Sequence, residues 1–67
     1  MWVASSNLES IWYNRERKIL TVAFHGGRAY RYYHVPEHKY ESLRFAFSKG
    51  KFLHQYLKGR YLYHRIR

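Results

Sequence analysis

The chain has no cysteine, one proline, four glycines and only four carboxylate side chains, Glu9, Glu16, Glu37 and Glu41, in 67 residues. Without cysteine there is no disulfide, no thiolate zinc site and no thiol nucleophile. Four scattered carboxylates are too few for general acid–base work by a carboxylate pair, and no nucleophile–base–acid set accompanies them. No apolar run approaches the roughly 20 residues of a transmembrane helix. Met1-Trp2-Val3-Ala4-Ser5 lacks the charged start and apolar stretch of a signal peptide. These absences leave a cytoplasmic address by default and no membrane partner.

What is present is aromatic and basic. Eight Tyr, four Phe and two Trp make up 21% of the chain, which with so little Pro and Gly argues against disorder. A chain this short forms one domain and buries only about 60% of the surface its unfolded form exposes. Its stability must therefore come from aromatic packing or from a partner. The formal charge is +9 and the pI about 10.2, a field that attracts polyanions and says nothing about fold. The charge is segregated. From Ser42 onward the chain carries Arg44, Lys49, Lys51, Lys58, Arg60, Arg65 and Arg67 with no carboxylate. Phe45, Phe47, Phe52, Tyr56, Tyr61 and Tyr63 are interleaved with these cations. Cations alternating with rings suit a partner that has phosphates along its backbone and flat bases to stack.

The local pattern predicts strands first and helices after. Leu8 to Tyr13 reads as a strand and the polar Asn14-Arg15-Glu16-Arg17 as a hairpin connection. Lys18 to His25 alternates cleanly, with Leu20, Val22 and Phe24 on one face. Gly26-Gly27 is a two-residue hairpin signal, since both positions can take positive φ. Arg28 to Val35 alternates again, placing Tyr30 and Tyr32 opposite Arg31 and Tyr33. Val35-Pro36 stops the strand, and Pro36 fits the first position of a helix. Glu37 and Glu41 sit in its opening turns, where the helix dipole favours anions. Tyr40, Leu43, Ala46 and Phe47 form its buried stripe, and Gly50 fits a left-handed cap. Lys51 to Lys58 reads as a second short helix presenting Phe52 and Tyr56, with Leu53 and Leu57 as further candidates, and Gly59 ends it. Arg60 to Ile66 fits a final strand or a tail. The expected architecture is α+β, a three-stranded antiparallel meander covered by two short helices. The core would join Leu20, Val22, Phe24, Tyr30 and Tyr32 to Tyr40, Leu43, Ala46 and Phe52. The other sheet face would keep Trp12, Thr21, Ala23, Arg31 and Tyr33.

The ordered series Ser5-Ser6-Asn7, Tyr13, Leu20-x-Val22-x-Phe24, Gly27, Tyr30-Arg31-Tyr32, Val35-Pro36, Tyr40, Leu43, Ala46, Ser48-x-Gly50 and Tyr61 resembles the KTSC domain. That family occurs at the C-terminus of some bacterial lysyl-tRNA synthetases and as stand-alone small proteins. The resemblance runs from about Val3 to Tyr61, and its central mark is the pair Tyr30 and Tyr32. It implies one small domain across the chain, an association with RNA through the synthetase link, and no catalytic residue set. The longer basic run near the end departs from the family pattern.

Each candidate group has a structural and a functional reading. Tyr30 and Tyr32 would stack bases on an open sheet, but sharing a face with Leu20, Val22 and Phe24 makes them core. Trp12, Arg31 and Tyr33 point outward and serve either base stacking or a protein interface, where the same residue types dominate. The basic set is either a solvated surface or a phosphate site, and the absence of acids favours the latter. Lys49-Gly50-Lys51 at a helix start would add free backbone N–H groups to two cations, but lacks the Walker loop's glycine spacing and Ser/Thr. His34 and His38 are four apart with Val35-Pro36 between them, so no metal site is expected, and no cofactor. His25, His34, His38, His54 and His64 leave room for a metal-independent ribonuclease, whose His, Tyr and Arg would supply acid, base and phosphate contact. The expected function is non-catalytic binding of structured or single-stranded RNA. Trp12, Arg31 and Tyr33 would stack, and Arg44, Lys49, Lys51, Lys58, Arg60, Arg65 and Arg67 would hold phosphates. The alternatives are docking of an acidic protein, self-association through the exposed aromatics, or the ribonuclease.

Overall fold

The computed structural model describes residues 8–67, so the Ser5-Ser6-Asn7 lead-in lies outside the described residues. The meander forms as the alternation requires: β1 (Leu8–Asn14), β2 (Ile19–Phe24) and β3 (Ala29–Tyr32) pair antiparallel in sequence order. The C-terminal segment is a strand, β4 (Tyr63–Arg65), which adds to β3 and completes a sheet of order β1-β2-β3-β4. Register decides which side chains share a face. Tyr13, Leu20, Tyr32 and Tyr63 lie in one cross-strand row, and Ile11, Val22, Tyr30 and Arg65 in the next on the same face. The row between them, Trp12, Thr21, Arg31 and His64, faces the other way.

Helix α1 (Glu37–Arg44) crosses the first of these faces. Tyr13 stacks on Tyr40, rings 4.7 Å apart and nearly parallel, and its hydroxyl donates to the carbonyl of Val35. Burial raises the Tyr13 phenol above its ordinary pKa; Glu37 adds to the rise and Arg15 opposes it. Burial raises Tyr32 likewise, helped by Tyr63 and Tyr30. The core is Leu8, Ile11, Tyr13, Leu20, Val22, Tyr32, Val35, Tyr40, Leu43, Leu53 and Leu57.

Several expectations shift. Pro36 caps α1 from outside, in extended conformation, rather than opening its first turn. The helix stops at Arg44, with Phe45 as its C-cap at φ −98°. Gly50 is therefore no cap: it lies inside α2 (Lys49–Phe52), whose N-cap Ser48 accepts from Lys51 N–H at 3.4 Å. Because residues 45–48 leave helical spacing, Phe47 loses its place in the buried stripe and is fully exposed, and Ala46 is only half-buried. Leu53 and Leu57 supply the apolar contacts instead. They sit on a π-helical turn (Leu53–Leu57) that continues α2 and closes with Lys58 N–H on Leu53 O at 2.9 Å. Phe24, Tyr30 and Phe52, expected in the core, pack at its margin and stay half-exposed. On the other face Ala23 is buried, not open. Gly59 ends the second helical segment at φ 77°. Among the described residues, no helix is long and apolar enough to cross a membrane.

Candidate nucleic-acid interface

The hairpin between β2 and β3 is longer than the two glycines suggest. Gly27 N–H donates to Phe24 O at 3.2 Å and Phe24 N–H to Arg28 O at 2.8 Å, so residues 25–28 form the loop. Gly26 and Gly27 have φ of 98° and 92°, where a side chain would be strained. His25 and Arg28, which flank the two glycines, are exposed. At the other end of β1 a bulge between Leu8 and Ser10 sets Glu9 beside this loop, its carboxylate 3.8 Å from His25 Nδ1.

The hairpin loop forms one wall of a cleft of about 600 Å³, within the size range of small-ligand sites. The apolar part of its lining is Phe24 and Tyr30, edge to face at 5.8 Å, and Leu53. Arg28 and His25 stand on the hairpin side, the guanidinium 5.7 Å from the centre of the Phe24 ring. The helical segment and its cap add Lys51, His54, Gln55 and Lys58. Lys51, His54 and Gln55 are exposed positions of α2 and the π turn, and Lys58 is the extended residue that follows it. Gly50 lines the rim, and no carboxylate lines the cleft. Tyr63 lies 6.0 Å from Tyr30, and Arg65 pairs with Tyr30 in register, extending rings and cations along β4.

The sequence-derived candidates divide between two surfaces. Lys51 and Lys58 enter the cleft, joined by Arg28, His25 and His54, which the sequence reading did not select. Arg65 lies on the same sheet face, and its Nε donates to the Arg67 carbonyl at 3.1 Å. Lys49 donates to Ala46 O at 3.4 Å. Arg60 and Arg67 are exposed. Arg44 is engaged elsewhere: it contacts Glu41 at 3.5 Å and lies over the Phe45 ring at 4.7 Å. Arg15 holds Glu37 at 2.8 Å and Glu41 at 3.8 Å, so these two carboxylates are paired away from the cleft.

Trp12 and Arg31 share the other sheet face with Thr21 between them, about 10 Å apart across two strand spacings. Trp12 is 68% exposed. Tyr33 follows β3, half-buried, with its N–H on Leu62 O at 2.8 Å. Trp12 and Arg31 thus lie on the sheet face opposite Tyr30 and Arg65, while Lys51 and Lys58 share the cleft with Phe24 and Tyr30. Phe45 and Phe47 lie exposed between the helices, so Phe47 joins Phe45 among the cation-flanked rings rather than the core. Gly26-Gly27 marked the hairpin in the sequence, but that Arg28, His25 and His54 share a cleft with Lys51 and Lys58 depends on the fold.

Together these features define a small α+β domain, an antiparallel sheet covered on one face by short helices, with Trp12, Arg31 and His64 exposed on the other. The model of the KTSC domain matches residues 4–61, and the chain belongs to that family. A KTSC domain protein of Yersinia pestis, known from a crystal structure, superposes with a TM-score of 0.93 at 34% identity, covering all of this chain and 94% of that one. A protein of Stutzerimonas stutzeri is 41% identical over 63 residues, covering 92% of this chain and 89% of its own length. A lysine–tRNA ligase of Trichormus variabilis is 35% identical over 54 residues, 81% of this chain but only 10% of the ligase. The domain thus occurs both in small proteins and as a minor segment of a ligase.

Proposed function

We propose that this domain is a non-catalytic RNA-binding module that grips phosphates through the cleft face. The observation that carries the reading is the cleft itself: Arg28, Lys51 and Lys58 around the exposed edges of Phe24 and Tyr30, with no lining carboxylate. None of these three cations has an ion-pair partner among the described residues. Unpaired cations beside rings offer charge to a phosphate backbone and a surface to bases. The matching segment in a lysine–tRNA ligase is consistent with an RNA context. Arg65, Arg60 and Arg67 would extend the field along β4, and Trp12, Arg31 and Tyr33 would offer a second stacking surface.

A second reading attaches to the other sheet face, where Trp12 is largely exposed and Arg31 lies across Thr21 from it. Such residues also anchor protein partners, whether an acidic protein or a second copy of this chain.

Fluorescence-anisotropy titration with labelled single-stranded RNA, duplex DNA and an acidic peptide tests the two. RNA binding that falls steeply with salt, unaffected by excess acidic peptide, supports the module; tighter capture of the peptide overturns it. Trp12→Phe run in parallel reads the Trp12 face, since loss of RNA-induced tryptophan quenching would place bases there. Labelled RNA incubated with the protein in EDTA should stay intact. Cleavage dependent on His25 and His54, which both line the cleft, would overturn the non-catalytic part.

A further inference from the structure

We infer that the cleft takes one unpaired nucleotide, its base against Phe24, Tyr30 and Leu53 and its phosphate among Arg28, Lys51 and Lys58. This rests on the RNA reading but narrows it from a charged surface to a single-nucleotide pocket. Three features point this way. The volume, about 600 Å³, suits one small ligand rather than the continuous groove a duplex backbone would need. The lining carries two aromatic rings, Phe24 and Tyr30, set edge to face, so either can offer its face to one base, whereas phosphate binding alone needs no ring. The cations come from two distant segments, Arg28 from the hairpin and Lys51 and Lys58 from the helical segment and its cap, and all three line the same cleft, so a phosphate bound there draws charge from both.

Bases paired in a duplex cannot present a face to those rings; an unpaired base can. The module should therefore prefer single-stranded segments, loops or ends over duplex. His54 and Gln55 on the helical wall are placed to hydrogen-bond a base edge.

The same chemistry is offered by a free mononucleotide and by a nucleotide within RNA, and the test separates them. The full chain, labelled with nitrogen-15, is titrated by NMR with adenosine 5′-monophosphate, adenosine and inorganic phosphate. The nucleotide should bind at least about tenfold tighter than either part alone, since ring and phosphate contacts combine. Shifts should centre on residues 24–30 and 50–58, and the nucleotide should compete with labelled single-stranded RNA. His54→Glu, an exposed substitution that puts a carboxylate into the cleft, should weaken both by a similar factor while leaving the remaining spectrum unchanged. A nucleotide that binds no better than phosphate, or that shifts residues around Trp12, overturns the pocket. If RNA binds and the nucleotide neither binds nor competes, the pocket fails while the RNA reading stands. If the nucleotide binds in the cleft and RNA does not, the pocket holds for a free nucleotide and the RNA reading fails.

Discussion

Replacing Lys51 and Lys58 together by alanine should flatten the salt dependence of RNA binding by a calculable amount. Both side chains are exposed, both line the cleft, and neither has an ion-pair partner among the described residues. The backbone N–H of Lys51 that caps α2 on Ser48 survives the change, so the fold should be unaffected. Each cation that neutralises a phosphate on a single strand contributes about 0.7 to the slope of log affinity against log salt. Losing two lowers the slope by about 1.4. Between about 50 and 200 mM salt the unmodified protein should then lose about sevenfold more affinity than the variant. This difference is independent of what Arg60, Arg65 and Arg67 contribute, because those remain in both proteins. The assay is an anisotropy titration of labelled single-stranded RNA at four salt concentrations. Arg44→Ala is the contrast: with its guanidinium held by Glu41 and Phe45, it should leave the slope as it was. An unchanged slope in the double variant would refute the placement of phosphates in the cleft, whatever happens to affinity at a single salt concentration.

Leu57→Ala should cost about 2–5 kcal/mol, since Leu57 is fully buried on the π turn; in so small a domain this unfolds much of the population. Phe47→Ala should stay within about 0.5 kcal/mol because the ring is outside the core, and urea denaturation distinguishes the two. Glu9→Gln removes the carboxylate 3.8 Å from His25 and should tighten RNA binding by about twofold, a modest effect fitting an exposed pair. The raised Tyr13 and Tyr32 pKa values set an alkaline limit. Folding holds both phenols protonated, so their contribution is complete below about pH 10 and is lost as pH rises through the folded values. Urea midpoints should drop as pH rises above about 10, and Tyr32→Phe should make that drop smaller; an equal drop would remove Tyr32 from the account.

The division between what the sequence carries and what folding adds runs through particular residues. Period-two alternation at Leu20, Val22, Tyr30 and Tyr32 identified the meander because one face of a sheet must be buried and the other need not be. Gly26-Gly27 located the hairpin, although the loop proved two residues longer. The fourth strand was visible only as one of two readings of Arg60 to Ile66, because a three-residue edge strand is chosen by its partner β3 more than by its own pattern. Phe47 failed as a core residue for a definite reason: helical spacing counts only while the helix lasts, and α1 ends three residues earlier. The absence of acids after Ser42 correctly marked a cationic half, but linear order could not say which cations face the same space. Arg28 is remote from Lys51 and Lys58 in the chain and meets them only because the hairpin and the helical segment close on one end of the sheet. Trp12 and Arg31, grouped with those lysines by chemistry, are held away from them by the sheet itself. Composition and periodicity thus determined the strands, the helices and the charge, all properties of neighbours along the chain. Only the tertiary structure decided that a cleft exists and which residues share it, because that depends on how distant segments pack.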